Sequence, residues 1–218
     1  MQEQTEKFGR YTLGEEIFAS VSHGVGIVFA ISATTLLITG AVLFGDTMSV
    51  VSAAIYGFTL TLMYTMSTLY HAFPYPRVKA IFRIFDHCSI FLLIAGTYTP
   101  ISLAGLRGTQ GWILFAVNWG CAVIGIILNV ISIKRFAKLS IVLYVIMGWM
   151  VFFTIRDVFA MLTLNGFIFL MVGGVFYMGG LIFYGLKKVR YTHAVWHLCV
   201  VAGSFMHFLC VLLYVLPV

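Results

Sequence analysis

The sequence predicts an all-α, seven-transmembrane helix bundle, on the evidence of its composition, the lengths of its apolar stretches and the placement of its charges. Hydrophobic residues make up 61% of the 218-residue chain and charged residues only 9%, with a mean hydropathy of +1.04. A soluble domain of this composition would lack the polar surface needed to cover itself. A membrane-spanning helix needs about 20 apolar residues, so the chain has room for about seven spans joined by short loops.

The apolar stretches divide the chain into a short N-terminal segment and a transmembrane domain. Residues 1–16 form the predicted cytoplasmic N-terminal segment, and residues 17–218 form the predicted seven-helix domain. Polar or basic segments separate the hydrophobic stretches within that domain. We place the spans at 17–44, 49–72, 84–105, 111–132, 139–157, 163–186 and 193–216.

The basic residues predict how this bundle is oriented in the membrane. Eleven of the thirteen Lys and Arg residues lie before the first span or after the second, fourth and sixth spans, and the opposite side holds only Arg107 and Arg156. Because segments rich in Lys and Arg stay in the cytoplasm, we expect a cytoplasmic N-terminus and an external C-terminus. Basic loops facing an anionic leaflet also account for the net charge of +6, so no nucleic-acid partner is predicted.

Three histidines are predicted to meet at the cytoplasmic ends of two spans. His193 and His197 begin the last span with i, i+4 spacing, which puts both imidazoles on one helical face. His71 ends the second span. Three neutral imidazoles can bind Zn²⁺ tetrahedrally and leave a fourth position for water, as in a catalytic zinc site. We therefore predict a Zn²⁺ site at His71, His193 and His197. Two unrelated interfacial histidines are the alternative interpretation of the HxxxH pair.

Two further polar residues are predicted to serve this zinc site. Asp86 begins the third span on the same side of the membrane, where it would act as a base for the zinc-bound water. Ser67 lies one turn before His71 on the same helical face, where its hydroxyl would orient the water or a substrate carbonyl. Structural alternatives remain for both residues. Asp86 would cap its helix or pair with Arg83, and Ser67 would serve only packing.

The roles of the other histidines stay open at this stage. His207 is ten residues beyond His197, about 15 Å deeper along the helix and too far away to bind the same ion. His87 directly follows Asp86 and points about 100° away from it. His23 lies near the start of the first span, at a depth compatible with the site. The four cysteines lie inside apolar segments without a CxxC pair, which predicts small buried side chains and no disulfide framework.

At these residues the sequence resembles the hemolysin III family, which groups with the progestin and adipoQ receptors. The resemblance covers nearly the whole chain and is carried by EEIFASVSHGVG (15–26), STLYH (67–71), FRIFDHCSIFLLIAGTYTP (82–100) and HAVWHLCVVAGSFMHF (193–208). It implies seven helices with a cytoplasmic N-terminus. It also implies a zinc ion held at the positions of His71, His193 and His197, with Asp86 and Ser67 near the zinc water.

Two functions are compatible with this pattern. The first is a zinc-dependent hydrolase that acts on lipid-like amides at the cytoplasmic side of the membrane, with ceramide-like amides as the substrates that the resemblance implies. The second is a hemolysin-like or membrane-homeostasis protein with a structural zinc and no catalytic activity. Fully apolar spans argue against a secreted toxin, and the spans contain no continuous file of polar residues typical of an ion channel. Membrane lipids are the expected surroundings, no protein partner is predicted, and the expected location is a bacterial plasma membrane.

Overall fold

The structure, a computed structural model, describes residues 11–186 and 188–216. These residues form helices and connecting turns, and no β-strand occurs among them. Short π-helical segments follow the third and sixth α-helices, and a 3-10 helix joins the fourth to the fifth. The α-helices are α1 (Leu13–Phe44), α2 (Thr47–Ala72), α3 (Pro76–Thr99), α4 (Gly108–Gly148), α5 (Ile155–Gly185) and α6 (Thr192–Cys210). The predicted all-α class is confirmed.

Four helical stretches of the described chain are long and apolar enough to cross a membrane: α1, α2, Gly108–Gly185 and Thr192–Val215. The stretch Gly108–Gly185 has 78 residues, far more than one span requires. Two backbone breaks divide it, at Ser132 (φ −170°, ψ 104°) and at Thr163 (φ 59°, ψ 178°). α3 is not among these four stretches, because the charged residues in the first half of α3 lower its mean hydropathy. The seven-span count and the orientation of the termini stay predictions.

The helix boundaries differ from the predicted spans in several places. α1 begins at Leu13 and not at residue 17, and α4 continues through the predicted loop at 133–138. α3 begins at Pro76, well before the predicted start at residue 84, because proline at the first helical position has a suitable φ and needs no N–H acceptor. The basic residues from Arg77 to Arg83 therefore lie on a helix and not in a loop. The predicted fifth span is interrupted, since α4 ends at Gly148 and α5 begins only at Ile155.

Hydrogen bonds in the first turn of α1 hold the start of that helix beside the start of α6. The Thr12 side chain and Glu15 form a reciprocal capping box, which satisfies backbone N–H groups at the helix N-terminus. The second carboxylate oxygen of Glu15 accepts a hydrogen bond of 2.7 Å from the backbone N–H of Tyr191, directly before α6. α2 ends and α3 begins at this same end of the bundle. We call it the histidine end, because His71, His193 and His197 lie there.

The opposite end of the bundle is joined by an exposed ion pair. Asp46 caps α2, where its Oδ1 accepts a hydrogen bond of 2.9 Å from the backbone N–H of Ser49. Its Oδ2 lies 2.9 Å from Nη2 of Arg107, which follows the π-helical segment after α3. We call this the Asp46 end. The pair connects the α1–α2 turn to the α3–α4 turn.

Small residues allow close packing between α5 and α6. A β-carbon at Gly173 would overlap the ring of His207, and a β-carbon at Gly180 would lie 2.8 Å from the ring of Trp196. Gly179, on another face of α5, has nothing within 4 Å of the same position. Membrane helices commonly associate through close backbone approach at small residues. The hydrophobic effect does not drive helices together within lipid, so van der Waals packing contributes more.

Candidate metal centre

Three histidines from two helices meet at the histidine end. His71 is the penultimate residue of α2, and His193 and His197 lie in the first two turns of α6. One ligand nitrogen from each ring lies within 4.8 Å of the other two. Nε2 of His193 is 3.2 Å from Nε2 of His71 and 3.1 Å from Nε2 of His197. The predicted proximity of these residues is confirmed, and the group could hold a metal ion.

The chemistry of this donor set fits a divalent transition metal. Imidazole nitrogen suits Zn²⁺, Cu²⁺, Fe²⁺ and Ni²⁺, whereas Mg²⁺ and Ca²⁺ prefer oxygen ligands. His71 and His197 are buried, so bulk water does not compete for their nitrogens. A neutral imidazole presents a lone pair on only one nitrogen, and a bound cation would satisfy three such lone pairs at once. Three histidines leave one tetrahedral position open.

Glu16, which the sequence analysis did not assign to the site, contacts one of these histidines. Its Oε2 lies 2.6 Å from Nδ1 of His71, and its Oε1 lies 2.9 Å from Nζ of Lys79. The side chain is only 4% exposed. An acidic residue in the first turn of an apolar helix was the available signal, since buried carboxylates in membrane helices require a partner. The sequence alone did not identify that partner.

Asp86 and Ser67 line the same cavity as His193 and His197. Asp86 lies inside α3, because that helix begins at Pro76, so the alternative that Asp86 caps the helix is wrong. Nδ1 of His87 lies 3.3 Å from Oδ2 of Asp86, and no ion pair between Asp86 and Arg83 occurs among the described residues. Its carboxylate also interacts with the Ser67 side chain. The chemical roles assigned to Asp86 and Ser67 stay predictions.

Several aromatic rings pack against the histidine group, and two of them are stacked on its members. The ring of His23, from α1, stacks on His197 with 3.8 Å between centroids. Tyr11 stacks on His193 at 4.4 Å, and its hydroxyl lies 3.3 Å from Nδ1 of that histidine. His207 lies apart from the group, with its Nε2 3.1 Å from the Leu170 carbonyl oxygen. The open question of where His23 faces is thus answered: it packs against the site.

A cavity of about 460 Å³ extends from His193 and His197 into the bundle. Its polar end includes Lys79, Arg83, Asp86 and His193. Its deeper walls are mainly apolar and include Leu93, Ile94, Ile101, Val151, Leu170 and Val200. Sites for small molecules have volumes of about 300–1,000 Å³ and combine apolar walls with a few polar groups. The cavity therefore has the size and lining of a site for an amphipathic molecule.

Comparison with known proteins identifies the family. The model for "Haemolysin-III related" proteins matches residues 11–208. The chain is 44% identical to "Hemolysin-3" of Bacillus cereus over 98% of both chains, and 40% identical to "Hemolysin-3 homolog" of Bacillus subtilis (strain 168) over 95% of this chain and 98% of that protein. Identity to the human "Monocyte to macrophage differentiation factor" is 27%, over 92% of this chain and 85% of the human protein. Several apolar helices and these Bacillus relatives indicate a multi-pass bacterial membrane protein. The chain belongs to the haemolysin-III-related family, as its motifs predicted.

Proposed function

We propose that this protein is a zinc-dependent hydrolase of lipid-like amides that acts at the cytoplasmic side of the membrane. The observation that carries the proposal is that two members of the histidine group, His193 and His197, border one cavity with Asp86, and that this cavity has apolar deeper walls. An amphipathic substrate would place its polar bond at the histidines and its hydrocarbon chain along those walls. Membrane lipids are the natural source of such molecules.

The proposal includes a seven-span bundle with a cytoplasmic N-terminus. The breaks at Ser132 and Thr163 support a division of Gly108–Gly185 into three helical parts. Eleven of the thirteen basic residues then face the cytoplasm. The histidine end becomes the cytoplasmic end and the Asp46 end the external one. Reporter fusions at both termini test this, and two termini on the same side would contradict it.

The residues of the chain would divide the chemistry among them. His71, His193 and His197 would hold the ion through ring nitrogens. A bound Zn²⁺ supplies Lewis-acid chemistry, polarising a carbonyl and making water more acidic. Asp86 would accept the proton of the attacking water on a carboxylate oxygen, as a general base. Ser67 would donate a hydrogen bond that orients the Asp86 carboxylate or the substrate carbonyl. The apolar walls would exclude bulk water from the reacting bond.

A second function is supported by the names of the two Bacillus relatives, "Hemolysin-3" and "Hemolysin-3 homolog". In this case the protein would be hemolysin-like or would maintain membrane state, without catalysis. The ion would then be structural and would tie the end of α2 to the start of α6. Both functions require the metal centre, so metal content alone does not separate them.

Turnover measurements separate the two functions. The purified full-length protein in nanodiscs, loaded with Zn²⁺, would be incubated with a mixture of lipid amides and esters, and released fatty acid would be measured. The hydrolase predicts release that stops after chelation and returns with Zn²⁺. Asp157→Asn, an exposed carboxylate at the start of α5, is the matched control for Asp86→Asn. Zinc binding without release of any fatty acid would favour the second function.

A further inference from the structure

We infer that Glu16 is a positioning residue of the metal centre, which holds His71 in the orientation and tautomer that present Nε2 to the ion. Lys79 in turn holds Glu16. The inference rests on the metal centre of the proposed function and not on hydrolysis. It extends the site from α2 and α6 to α1 and α3.

The contact between Glu16 and His71 determines where the imidazole hydrogen lies. Oε2 of Glu16 is 2.6 Å from Nδ1 of His71, and both residues are buried. An ionised carboxylate only accepts hydrogen bonds, so Nδ1 must donate. Nε2 of His71 is then free of hydrogen and turns its lone pair toward His193, 3.2 Å away. Metal-binding histidines commonly have this arrangement, in which a carboxylate takes the N–H of the other nitrogen.

Lys79 compensates the buried charge of Glu16 and restricts its position. Nζ of Lys79 lies 2.9 Å from Oε1 of Glu16 and donates a hydrogen bond of 3.0 Å to the carbonyl oxygen of Tyr70. Tyr70 directly precedes His71. A buried carboxylate without a partner would be costly, so the ammonium of Lys79 offsets the cost of burying Glu16 beside the histidine. One carboxylate thereby connects α1, α2 and α3 at the metal centre.

The neighbouring acid, Glu15, has a different function. Its carboxylate accepts hydrogen bonds from Thr12 and from the backbone of Tyr191, and it lies outside the histidine group. The other two predicted ligands, His193 and His197, have no carboxylate hydrogen-bond partner among the described residues. Nδ1 of His193 lies 3.3 Å from the hydroxyl of Tyr11. Nδ1 of His197 is buried, and it has no hydrogen-bond partner within residues 11–186 and 188–216. Glu16 is therefore the carboxylate that contacts a metal ligand, and it contacts one of the three.

The experiment measures metal affinity, not activity. Full-length protein in detergent would compete for Zn²⁺ with a chelator of known affinity, and the visible absorption of the Co²⁺-loaded protein would report ligand geometry. We expect Glu16→Gln to lower Zn²⁺ affinity about 10–100-fold and to change the Co²⁺ spectrum. Gln keeps the shape of the side chain and one acceptor oxygen but loses the charge. Asp157→Asn, which removes the charge of an exposed carboxylate at the start of α5, should behave as wild type in both measurements.

A second variant separates the contact with His71 from the ion pair with Lys79. Lys79→Met removes the ammonium but leaves Glu16 beside His71. It should therefore reduce Zn²⁺ affinity only several-fold, less than Glu16→Gln does, because it removes a charge-assisted contact to Glu16 and not the contact to His71. In the Glu16→Gln background, Lys79→Met should cause no further loss, because Lys79 reaches His71 only through Glu16. Equal losses in the two single variants would overturn the inference, since the helix-joining ion pair would then be the important element.

The possible failures are distinguishable. Zinc affinity of Glu16→Gln equal to that of Asp157→Asn overturns the role of Glu16 and leaves the proposed hydrolase intact. A wild type that binds Zn²⁺ but releases no fatty acid removes the hydrolase and leaves the role of Glu16 intact. A wild type without Zn²⁺ affinity overturns both. If Glu16→Gln does not fold, Lys79→Met still decides, because unchanged affinity in that variant contradicts the inference.

Discussion

The two ends of the helix bundle are joined by ion pairs in very different surroundings. At the histidine end, Glu16 and Lys79 are 4% and 15% exposed, and the carboxylate also contacts His71. At the Asp46 end, Asp46 and Arg107 are 46% and 54% exposed. Water and salt screen an exposed pair, whereas a buried pair must be complete because either charge alone would be costly. Changes at the histidine end should therefore be large and specific, and changes at the Asp46 end small.

The largest effect is expected from removal of a metal ligand. His71→Ala, His193→Ala or His197→Ala should each lose most of the bound zinc, because two imidazoles are fewer protein ligands than the three that a zinc site of this kind uses. Elemental analysis of purified wild type should show about one zinc per chain. His207→Gln is the control, since His207 lies outside the histidine group. Full zinc retention in all three alanine variants would remove the metal centre and the contrast between the two ends.

The next effect concerns catalysis without loss of metal. Asp86→Asn should retain the fold and most of the zinc but lose about 10²–10⁴-fold in turnover, because Asn cannot accept the proton of the attacking water. Zinc content and fatty-acid release would be measured on the same preparation. Loss of zinc together with activity would make Asp86 a ligand or a structural anchor. Unchanged turnover would remove it from the mechanism.

A packing change between α5 and α6, away from the histidine group, should affect the thermal stability of the protein and not its metal affinity. Gly173→Ala adds a methyl group against His207, and such overpacking costs about 1–3 kcal/mol. Gly179→Ala, on an open face of the same helix, should be neutral or stabilising by up to about 1 kcal/mol, because alanine favours the helix. Thermal unfolding in detergent measures the difference. Equal melting temperatures for the two variants would show that α5 and α6 do not pack as described.

The smallest effect is expected at the Asp46 end. The backbone N–H of Ser49, its hydroxyl and the nearby Arg107 hold the pKa of Asp46 below its ordinary value. A carboxylate with a lowered pKa stabilises the fold above its ordinary pKa, and this contribution is lost as the pH falls through the lowered value. Asp46→Asn should therefore melt slightly below wild type at neutral pH, and the gap should close in acid. A gap that widens in acid would contradict this assignment, and zinc content should not change at any pH where the wild type retains it.

Much of the fold was predictable because it depends on local properties of the chain. Apolar stretches of about 20 residues predict long helices, and i, i+4 spacing places His193 and His197 on one face of α6. The start of α3 was missed because the basic residues after Pro76 suggested a loop, although proline at the first position and the following residues are compatible with a helix. That error placed Asp86 at a helix end, whereas it lies in the interior of α3.

The sequence by itself determined the all-helical class, the family and the face shared by His193 and His197, since each follows from composition or from residues close in the chain. Only the tertiary structure decided which distant residues meet. For His71 and His193, 122 residues apart, the sequence predicted a shared depth in the membrane, and the structure added their contact. For Glu16 and His71, 55 residues apart, the sequence predicted nothing. Helix geometry specifies which residues share a face within one helix, but contacts between helices depend on how small residues and buried polar groups pack together. For that reason the contacts of Glu16 with His71 and Lys79 could be identified only from the packing of α1, α2 and α3 in the structure.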